Sequence, residues 1–220
     1  MSTAVITGSN RGLGFATAEA LAEQGTRVLL TSRRDADAKD AAATLVAKGY
    51  EAYGIELDVT DTHSVEHAAE WVRQNFGTLD ILINNAGILP EATDGEPHEF
   101  ASARLFQETF ATNVFGAVAM IEALLPMLRT SSAGRIVNIS TTMGSLNEQL
   151  NPESPYYGIV VPAYQSSKAA LNAVTIALSK KLSDTDITAT SVCPGFVQTD
   201  LTPVNREQAP LTAGHAHRPP

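Results

Sequence analysis

The chain of 220 residues is long enough for one domain with a full hydrophobic core, and we expect one domain. Its 44% hydrophobic and 18% charged residues are typical of a globular protein, and its net charge of −9 argues against nucleic acid or an anionic membrane as a partner. The one cysteine, Cys193, excludes an intrachain disulfide and is expected in the core. No targeting segment or membrane span is visible, so a cytoplasmic location is predicted.

Apolar runs rich in β-branched residues alternate with stretches in which apolar residues have helical spacing. The runs predict strands at 3–7, 27–32, 52–58, 79–84, 135–140 and 187–193. The stretches between them predict helices at 13–24, 35–48, 61–76, 99–129 and 163–182. This alternation predicts an α/β fold, a single Rossmann-like doubly wound parallel sheet with helices on both faces. The domain is expected to span 1–200, with an irregular or disordered tail at 201–220.

The first predicted strand is followed by a turn that contains three glycines. The positions expected to bind a ligand are Gly8, Ser9, Asn10, Arg11, Gly12, Leu13 and Gly14. Glycine lets the backbone turn sharply and approach a ligand closely, and the next helix directs free N–H groups and the positive end of its dipole toward it. This predicts a pyrophosphate site, although the spacing departs from G-x-G-x-x-G and a plain glycine-rich turn is the alternative.

The residues after the second predicted strand indicate which dinucleotide binds. Folds that bind NAD carry an acidic residue there for the ribose hydroxyls, whereas this chain has Arg33 and Arg34, with Arg11 nearby in the glycine turn. Guanidinium groups pair well with the 2′-phosphate of NADP, so NADP(H) is the predicted cofactor. The alternative is that both arginines only face solvent.

Further polar positions follow the next two strands or lie within a helix. Asp58 and Val59 follow the third strand, and the run Asn-Asn-Ala-Gly at 84–87 follows the fourth. Asn113 lies on an apolar helix face and needs hydrogen-bond partners if it is buried. Structural alternatives exist, since Asp58 can cap the next helix and the Asn-Asn-Ala-Gly run can form a simple turn.

The candidates for chemistry lie at the end of the fifth strand and in the last long helix. Ser140 and Thr141 place hydroxyl groups where they can hydrogen-bond a substrate carbonyl. Tyr164 and Lys168 are four residues apart and share a helix face. A nearby cation favours tyrosinate and lowers the phenol pKa from about 10. Tyr164 is therefore a plausible proton donor whose pKa Lys168 lowers. At this spacing the two residues also fit a solvated helix face.

Taken in order, these segments resemble the short-chain dehydrogenase/reductase family, and most closely its NADPH-dependent carbonyl reductase branch. The resemblance covers residues 3–200 and includes Pro-Gly-Phe-Val-Gln-Thr-Asp at 194–200 besides the motifs above. It implies an oxidoreductase that reduces an aldehyde, ketone or quinone to an alcohol by hydride transfer from NADPH.

The resemblance also implies a role for each site residue. Tyr164 gives a proton to the carbonyl oxygen, Lys168 lowers its pKa and binds the nicotinamide ribose, and Asn113 helps to hold a water that relays protons. Asp58 is expected at the adenine. The other positions implied in cofactor binding are Val59, Asn85, Ala86, Gly87, Pro194, Gly195, Val197 and Thr199. The family usually has two serines after the fifth strand, and the second of them is catalytic. Thr141 occupies that second position here, so it is expected to supply the substrate-orienting hydroxyl, with Ser140 as the alternative.

Departures from the family pattern leave a second hypothesis. After residue 200 the family normally supplies a substrate lid, a helix and a last strand, which are not recognisable here, so an uncovered sheet edge is predicted. A catalytically weak or inactive NADP-binding regulator is therefore the alternative. The segment between Thr141 and Tyr164 is long, which the carbonyl reductase branch associates with monomers, so a monomer is favoured over a homo-oligomer. His215 and His217 are not expected to bind a metal.

Overall fold

The computed structural model describes residues 1–214 and contains a sheet of six parallel strands. The strands are β1 (Thr3–Ile6), β2 (Arg27–Ser32), β3 (Ala52–Glu56), β4 (Ile81–Asn84), β5 (Arg135–Ile139) and β6 (Thr188–Val192). Their order is β3-β2-β1-β4-β5-β6, so the winding reverses between β1 and β4. This order confirms the predicted doubly wound, Rossmann-like sheet, in which a ligand is expected at the carboxyl ends of β1 and β4.

Helices connect the strands and cover both faces of the sheet. They are α1 (Gly12–Glu23), α2 (Asp35–Val46), α3 (Thr62–Phe76), α4 (Ala103–Phe110), α5 (Ala117–Leu128), α6 (Leu146–Leu150) and α7 (Pro162–Lys181). Parallel neighbours require crossover connections of this kind. Because helices cover both faces, the central strands are buried throughout, which explains their continuous apolar runs.

Two hydrophobic clusters hold the helices against the sheet. One joins α3 and α5 to one face through residues that include Val72, Leu124 and Ile136. The other joins α1 and α2 to the opposite face through residues that include Ala18 and Leu30. Complete burial of a side chain such as Leu124 or Leu30 stabilises the fold by about 1.5–3 kcal/mol, so these contacts fix the strand ends that form the crevice.

The helix predicted at 99–129 begins at Ala103 and contains a wider, π-helical turn at Ala111–Gly116. Turns of this type are frequent at functional sites, and this one contains Asn113. The whole stretch Ala103–Leu128 is apolar and long enough to cross a membrane, but half of its most apolar window is buried inside the protein. Met120 and Leu128 are almost completely buried, so the core accounts for its composition.

Strand β6 lies at an edge of the sheet as the structure describes it over residues 1–214. Its outer side is not paired with another strand within this range, in agreement with the predicted uncovered edge. Cys193 follows β6 directly and is exposed. The expectation that it lies in the core is wrong, because it follows an edge strand.

The segment after residue 200 is more regular than predicted. It contains α8 (Pro203–Gln208) and β8 (Leu211–Thr212), and β8 pairs in parallel with β7 (Val197–Gln198). The hydroxyl of Thr202 accepts a hydrogen bond from the N–H of Asn205, and Pro203 occupies the first helical position. This is a recognisable helix start that the loop prediction overlooked. Residues 215–220, with His215 and His217, lie outside the described residues.

Candidate active site

The glycine turn forms a close-fitting surface at the carboxyl end of β1. Gly8 and Gly12 have φ angles of 60° and 59°, a conformation that other residues rarely adopt. A Cβ atom on Gly14 would lie 2.5 Å from Nδ2 of Asn85 and 2.7 Å from the carbonyl oxygen of Gly8. Backbone conformation therefore requires glycine at two positions, and lack of space requires it at the third.

Side chains beneath the turn hold it in place. Nδ2 of Asn85 donates to the carbonyl oxygens of Thr7 and Gly8, both at 2.9 Å. Oγ1 of Thr7 accepts from the N–H groups of Asn85 and Ala86 at 3.0 and 2.9 Å. Ser9 is completely buried, and its hydroxyl and N–H are bonded to the backbone of β1 and β2. The side chains of Asn85 and Ser9 thus support the turn, and the contacts of these two positions with a cofactor stay predictions.

The start of α1 and the segment after β6 meet above the glycine turn. Arg11 precedes α1 without capping it, and the first turn of α1 contains no acidic residue, so its N–H groups suit an anion. Nη1 of Arg11 lies 3.4 Å from Oδ2 of Asp200. A Cβ atom on Gly12 would lie 3.6 Å from Cβ of Thr199. The structure thereby brings Thr199 next to the turn, as a shared cofactor site requires.

The two arginines after β2 differ in their surroundings. Arg34 makes a bidentate ion pair with Asp37, with hydrogen bonds of 2.8 and 2.6 Å. The hydrogen bond and the charge of Asp37 raise the pKa of Arg34 above its ordinary value. Arg33 is exposed, and it forms no ion pair with another residue in the range 1–214. Arg33 is therefore the guanidinium that a phosphate can recruit without breaking an existing pair.

Asp58 and Val59 follow β3 on the adenine side of the predicted site. Oδ1 of Asp58 accepts from the N–H and hydroxyl of Thr60 at 2.9 and 2.7 Å, while Asp61 caps α3. The proposed capping role of Asp58 is therefore filled by Asp61. Val59 packs against Gly116, where a Cβ atom would lie 2.7 Å from Cγ2 of Val59. This close contact fixes the end of β3 to the π-helical turn.

Tyr164 and Lys168 lie together in α7, and both are buried, with 8% and 4% of their surface exposed. The Nζ atom of Lys168 is 5.7 Å from the centroid of the Tyr164 ring. The same atom donates a 2.7 Å hydrogen bond to the carbonyl oxygen of Ile139. The pair is therefore not a solvated helix face, which was the alternative interpretation.

Burial dominates the ionisation of both groups. It raises the pKa of Tyr164 from 10.0 to about 12, with a smaller electrostatic contribution from the neighbouring Cys193. It lowers the pKa of Lys168 from 10.5 to about 8. The predicted lowering of the Tyr164 pKa is not found in the structure, because burial of the phenol raises its pKa. Tyr164 is therefore a protonated donor at neutral pH.

Asn113 connects the segment after β4 with α7. Its Oδ1 accepts from the N–H of Ile88 at 2.8 Å, and its Nδ2 donates to the carbonyl oxygen of Ile88 and to Oγ of Ser167 at 3.0 and 3.1 Å. These are the partners that a buried amide needs. A Cβ atom on Gly87 would lie 3.5 Å from Oδ1 of Asn113 and 3.6 Å from Nζ of Lys168. The segment at 84–87 thus runs directly beside the Lys168 ammonium.

The two candidate hydroxyl groups follow β5. Oγ of Ser140 is buried and has no hydrogen-bond partner among the described residues. Oγ1 of Thr141 accepts from the N–H of Met143 at 3.2 Å, which leaves its own proton to donate. Both residues line an open groove of about 660 Å³ between α7 and β6. Its lining does not include Tyr164 or Lys168, so Ser140 and Thr141 are the only catalytic candidates that line it among the described residues.

The predicted nicotinamide segment forms a bend between β6 and α8. Pro194 is partly buried, and Gly195 has a φ angle of 82°, which favours glycine. Val197 is buried, and its carbonyl oxygen accepts from Nδ2 of Asn205. The bend is therefore held by the buried side chain of Val197 and by the amide of Asn205.

Glu91 was not singled out by sequence reasoning, yet it contacts the helix that carries Tyr164. Its Oε1 accepts from the N–H of Ala163 at 2.9 Å, and its Oε2 accepts from the N–H of Tyr164 at 2.8 Å. Glu91 precedes these residues by 72 and 73 positions. No local pattern marks a contact across such a distance in the chain.

The crevice fits a nicotinamide dinucleotide. The turn leaves no space for a side chain at Gly14, the start of α1 presents N–H groups without a nearby acidic residue in the helix, and Arg33 is exposed. The glycine turn and the start of α1 suit a pyrophosphate, and Arg33 suits an additional phosphate. The individual contacts with the cofactor stay predictions.

The Rossmann-like sheet thus carries a buried tyrosine–lysine pair in the helix that precedes β6. Residues 2–210 match the family model described as short chain dehydrogenase. The chain belongs to the short-chain dehydrogenase family, an oxidoreductase family that uses nicotinamide cofactors.

Relatives and solved structures agree with this assignment. The chain is 33% identical to a (+)-neomenthol dehydrogenase of Arabidopsis thaliana over 249 residues, covering 90% of this chain and 83% of the relative. The structure of salutaridine reductase from Papaver somniferum is similar, with a TM-score of 0.82, 26% identity and coverage of 98% and 92%. NADPH-bound carbonyl reductase from chicken fatty liver is similar too, with a TM-score of 0.83, 25% identity and coverage of 98% and 88%.

Proposed function

We propose that the protein is an NADPH-dependent carbonyl reductase that converts an aldehyde, ketone or quinone into an alcohol. The observation that carries this proposal is the buried Tyr164–Lys168 pair beside Ile139, where β5 ends and the hydroxyl residues begin. The likeness to reductases, one of them an NADPH-bound carbonyl reductase, supports the direction and the cofactor.

The chain's own residues supply acid catalysis and orientation. The hydroxyl of Thr141, or that of Ser140, donates to the substrate carbonyl and polarises it. When bound, NADPH supplies a hydride for the carbonyl carbon. Tyr164 donates its phenolic proton to the carbonyl oxygen, so the product is a neutral alcohol and a tyrosinate remains. A proton from solvent then restores the phenol.

Lys168 stabilises the tyrosinate that this proton transfer leaves behind. An ammonium has three donors, so the hydrogen bond to Ile139 leaves two for a ribose hydroxyl or a water. Because the pKa of Lys168 is about 8, its charge is present at neutral pH and is lost in mildly alkaline solution. We therefore expect the reduction to slow as the pH rises through 8, well before Tyr164 loses its own proton.

The preference for NADPH over NADH is assigned to Arg33. Its exposed guanidinium follows β2, the strand whose end contacts the ribose in dinucleotide folds. The 2′-phosphate carries charge that only NADPH has, and a guanidinium binds it through charge-assisted hydrogen bonds. Arg34 contributes less, since it is paired with Asp37.

The substrate is expected to be apolar. Leu89 and Phe196 flank segments that border the predicted crevice, and the long segment before Tyr164 exposes Leu146 and Leu150, at 66% and 78%. A surface of this kind suits a hydrophobic aldehyde, ketone or quinone better than a charged one.

The test is NADPH oxidation by the purified chain, followed by the loss of nicotinamide absorbance, with a panel of aldehydes, ketones and quinones. Turnover of at least one apolar carbonyl compound is expected, together with tighter binding of NADPH than of NADH. NADPH binding without turnover of any compound would instead support the NADP-binding regulator.

We also propose that the protein is a monomer located in the cytoplasm. Light scattering can check the oligomeric state, and cell fractionation can check the location.

A further inference from the structure

The helix that carries Tyr164 begins without a capping residue of its own. Val161, the residue before α7, makes no side-chain capping bond, and Pro162 has no N–H group. The N–H of Gln165 bonds to the carbonyl oxygen of Val161. The N–H groups of Ala163 and Tyr164 are therefore the two that need an acceptor from outside the helix.

Glu91 supplies that acceptor from another part of the chain. Each carboxylate oxygen accepts one of the two N–H groups, at 2.9 and 2.8 Å. These are charge-assisted hydrogen bonds, and the negative charge also lies at the positive end of the helix dipole. A bidentate bridge of this kind fixes both the position and the orientation of the first turn of α7.

The segment that carries Glu91 is itself held at its other end. Ile88 is bound through both its N–H and its carbonyl oxygen by Asn113, which also contacts Ser167 in α7. The four residues at 88–91 are thus tied to α7 at both ends. They connect the end of β4, where the cofactor site lies, with the backbone of Tyr164.

We propose that Glu91 is a positioning residue for the reduction, which sets the Tyr164 phenol relative to the crevice through the backbone of α7. The proposal rests on the proposed function, since it concerns the same proton donor. Glu91 contacts no reacting atom, and its effect is expected in the chemical step rather than in cofactor binding. A displacement of about 1 Å in a reacting group can cost roughly 100-fold in rate.

The experiment compares Glu91→Ala and Glu91→Gln with a matched control, Asp80→Ala. Asp80 is another bridging carboxylate, which accepts from the N–H of Thr3 at 2.8 Å and from the hydroxyl of Ser131 at 2.6 Å, before β4 begins. Its loss therefore destabilises the fold at the opposite end of the strands. The readouts are kcat, KM for the carbonyl substrate, Kd for NADPH, and hydrogen exchange of the backbone amides at 162–168.

Glu91→Ala is expected to lower kcat by roughly 10- to 100-fold with an unchanged Kd for NADPH and faster exchange at 162–168. Glu91→Gln, which keeps one acceptor oxygen, should recover part of the rate, and Asp80→Ala should keep the full kcat. Wild-type kcat in Glu91→Ala would overturn the proposal, as would equal losses in Glu91→Ala and Asp80→Ala. If the wild-type chain reduces no carbonyl, the proposed function fails. Unchanged hydrogen exchange at 162–168 in Glu91→Ala would show, independently of activity, that Glu91 does not hold the first turn of α7, and would overturn the proposal.

Discussion

The ammonium of Lys168 donates a 2.7 Å hydrogen bond to the carbonyl oxygen of Ile139, the residue directly before Ser140. This contact joins the middle of α7 to the end of β5 and so places the lysine beside both candidate hydroxyl groups. Lys168 is almost completely buried, and no salt bridge of its ammonium is found in the described part of the chain. Its positive charge is therefore costly, which is why the pKa falls to about 8.

This buried lysine should make stability depend on pH. Between pH 8 and 10.5 the unfolded chain holds a proton on Lys168 that the folded protein has released, so the free energy of unfolding rises with pH. The full rise corresponds to roughly 3 kcal/mol. Lys168→Met should abolish it and should also reduce kcat. Urea unfolding at pH 8 and at pH 10 measures the effect.

Lys180→Met is the control for this experiment, because Lys180 is an exposed residue of the same helix. It should keep the wild-type pH dependence. The raised pKa of Tyr164 acts in the opposite direction, since the folded protein holds the phenolic proton longer, but only between pH 10 and about 12. If Lys168→Met kept the wild-type rise in the free energy of unfolding, the rise could not be assigned to Lys168.

Tyr164→Phe should reduce kcat by roughly 100- to 10,000-fold, because it removes the general acid. The ring remains in place in its buried site, so folding and the Kd for NADPH should not change. Steady-state kinetics and cofactor fluorescence measure the two quantities. Tyr157→Phe is the matched control, since Tyr157 is 53% exposed and lies outside α7. Full activity in Tyr164→Phe would remove the basis of the reductase assignment.

Thr141 and Ser140 can be distinguished by removing one hydroxyl at a time. Thr141→Val keeps the shape of the side chain but loses the donor, and it should lower kcat by roughly 100-fold. Ser140→Ala should have a smaller effect, and Thr141→Ser should restore activity. Single-turnover rates with saturating cofactor provide the comparison. A larger loss in Ser140→Ala would assign the orienting hydroxyl to Ser140.

Arg33→Ala should weaken NADPH binding while leaving NADH binding unchanged. A hydrogen bond to a charged group contributes about 1.5–3 kcal/mol, so Kd for NADPH should rise by about tenfold or more. Arg34→Ala should have less effect, because Arg34 already pairs with Asp37 on the surface. Titration calorimetry of the wild type and both variants with NADPH and NADH gives the six dissociation constants. Equal loss of NADPH and NADH affinity in Arg33→Ala would exclude a role at the 2′-phosphate.

Gly14→Ala should destabilise the protein and weaken cofactor binding. The added methyl group would meet Nδ2 of Asn85 at 2.5 Å and the backbone of Gly8 at 2.7 Å, which forces the glycine turn to move. Overpacking of this kind costs about 1–3 kcal/mol. Gly95→Ala is the control, because a Cβ atom there meets nothing within 4 Å. Thermal unfolding with and without NADPH separates the two effects, and a wild-type response in Gly14→Ala would contradict the tight fit.

Much of the fold follows from local patterns in the sequence. Strand-like runs, which are largely buried in β1, β2 and β4 and partly exposed in β3 and β6, were sufficient together with the regular apolar spacing of the helices to predict the six strands of the sheet. The sequence also carried the start signal of α8 in Thr202 and Pro203, which was not used. The exposure of Cys193 could not be read from its neighbours, since it depends on which strand lies at the edge.

The site was less accessible to sequence reasoning, because its energetics depend on contacts between distant residues. Motif spacing brought Tyr164 and Lys168 together correctly, but it predicted the wrong direction for the Tyr164 pKa, since burial is a property of the whole fold. The same limit applies to Ser9, whose hydroxyl is held beneath the turn, and to Glu91. Long-range hydrogen bonds leave no periodic signal in the chain.

The π-helical turn at Ala111–Gly116 sets the angular relation between α4 and α5. Each residue of a regular helix advances the side chains by about 100° around the axis, so removal of a single residue here would rotate α5 by that angle relative to α4. Asn113 could then no longer reach Ile88 and Ser167 while Met120 and Leu124 still faced the sheet. The number of residues in this turn is therefore constrained from two sides, by the hydrogen bonds of Asn113 and by the packing of α5 on the sheet.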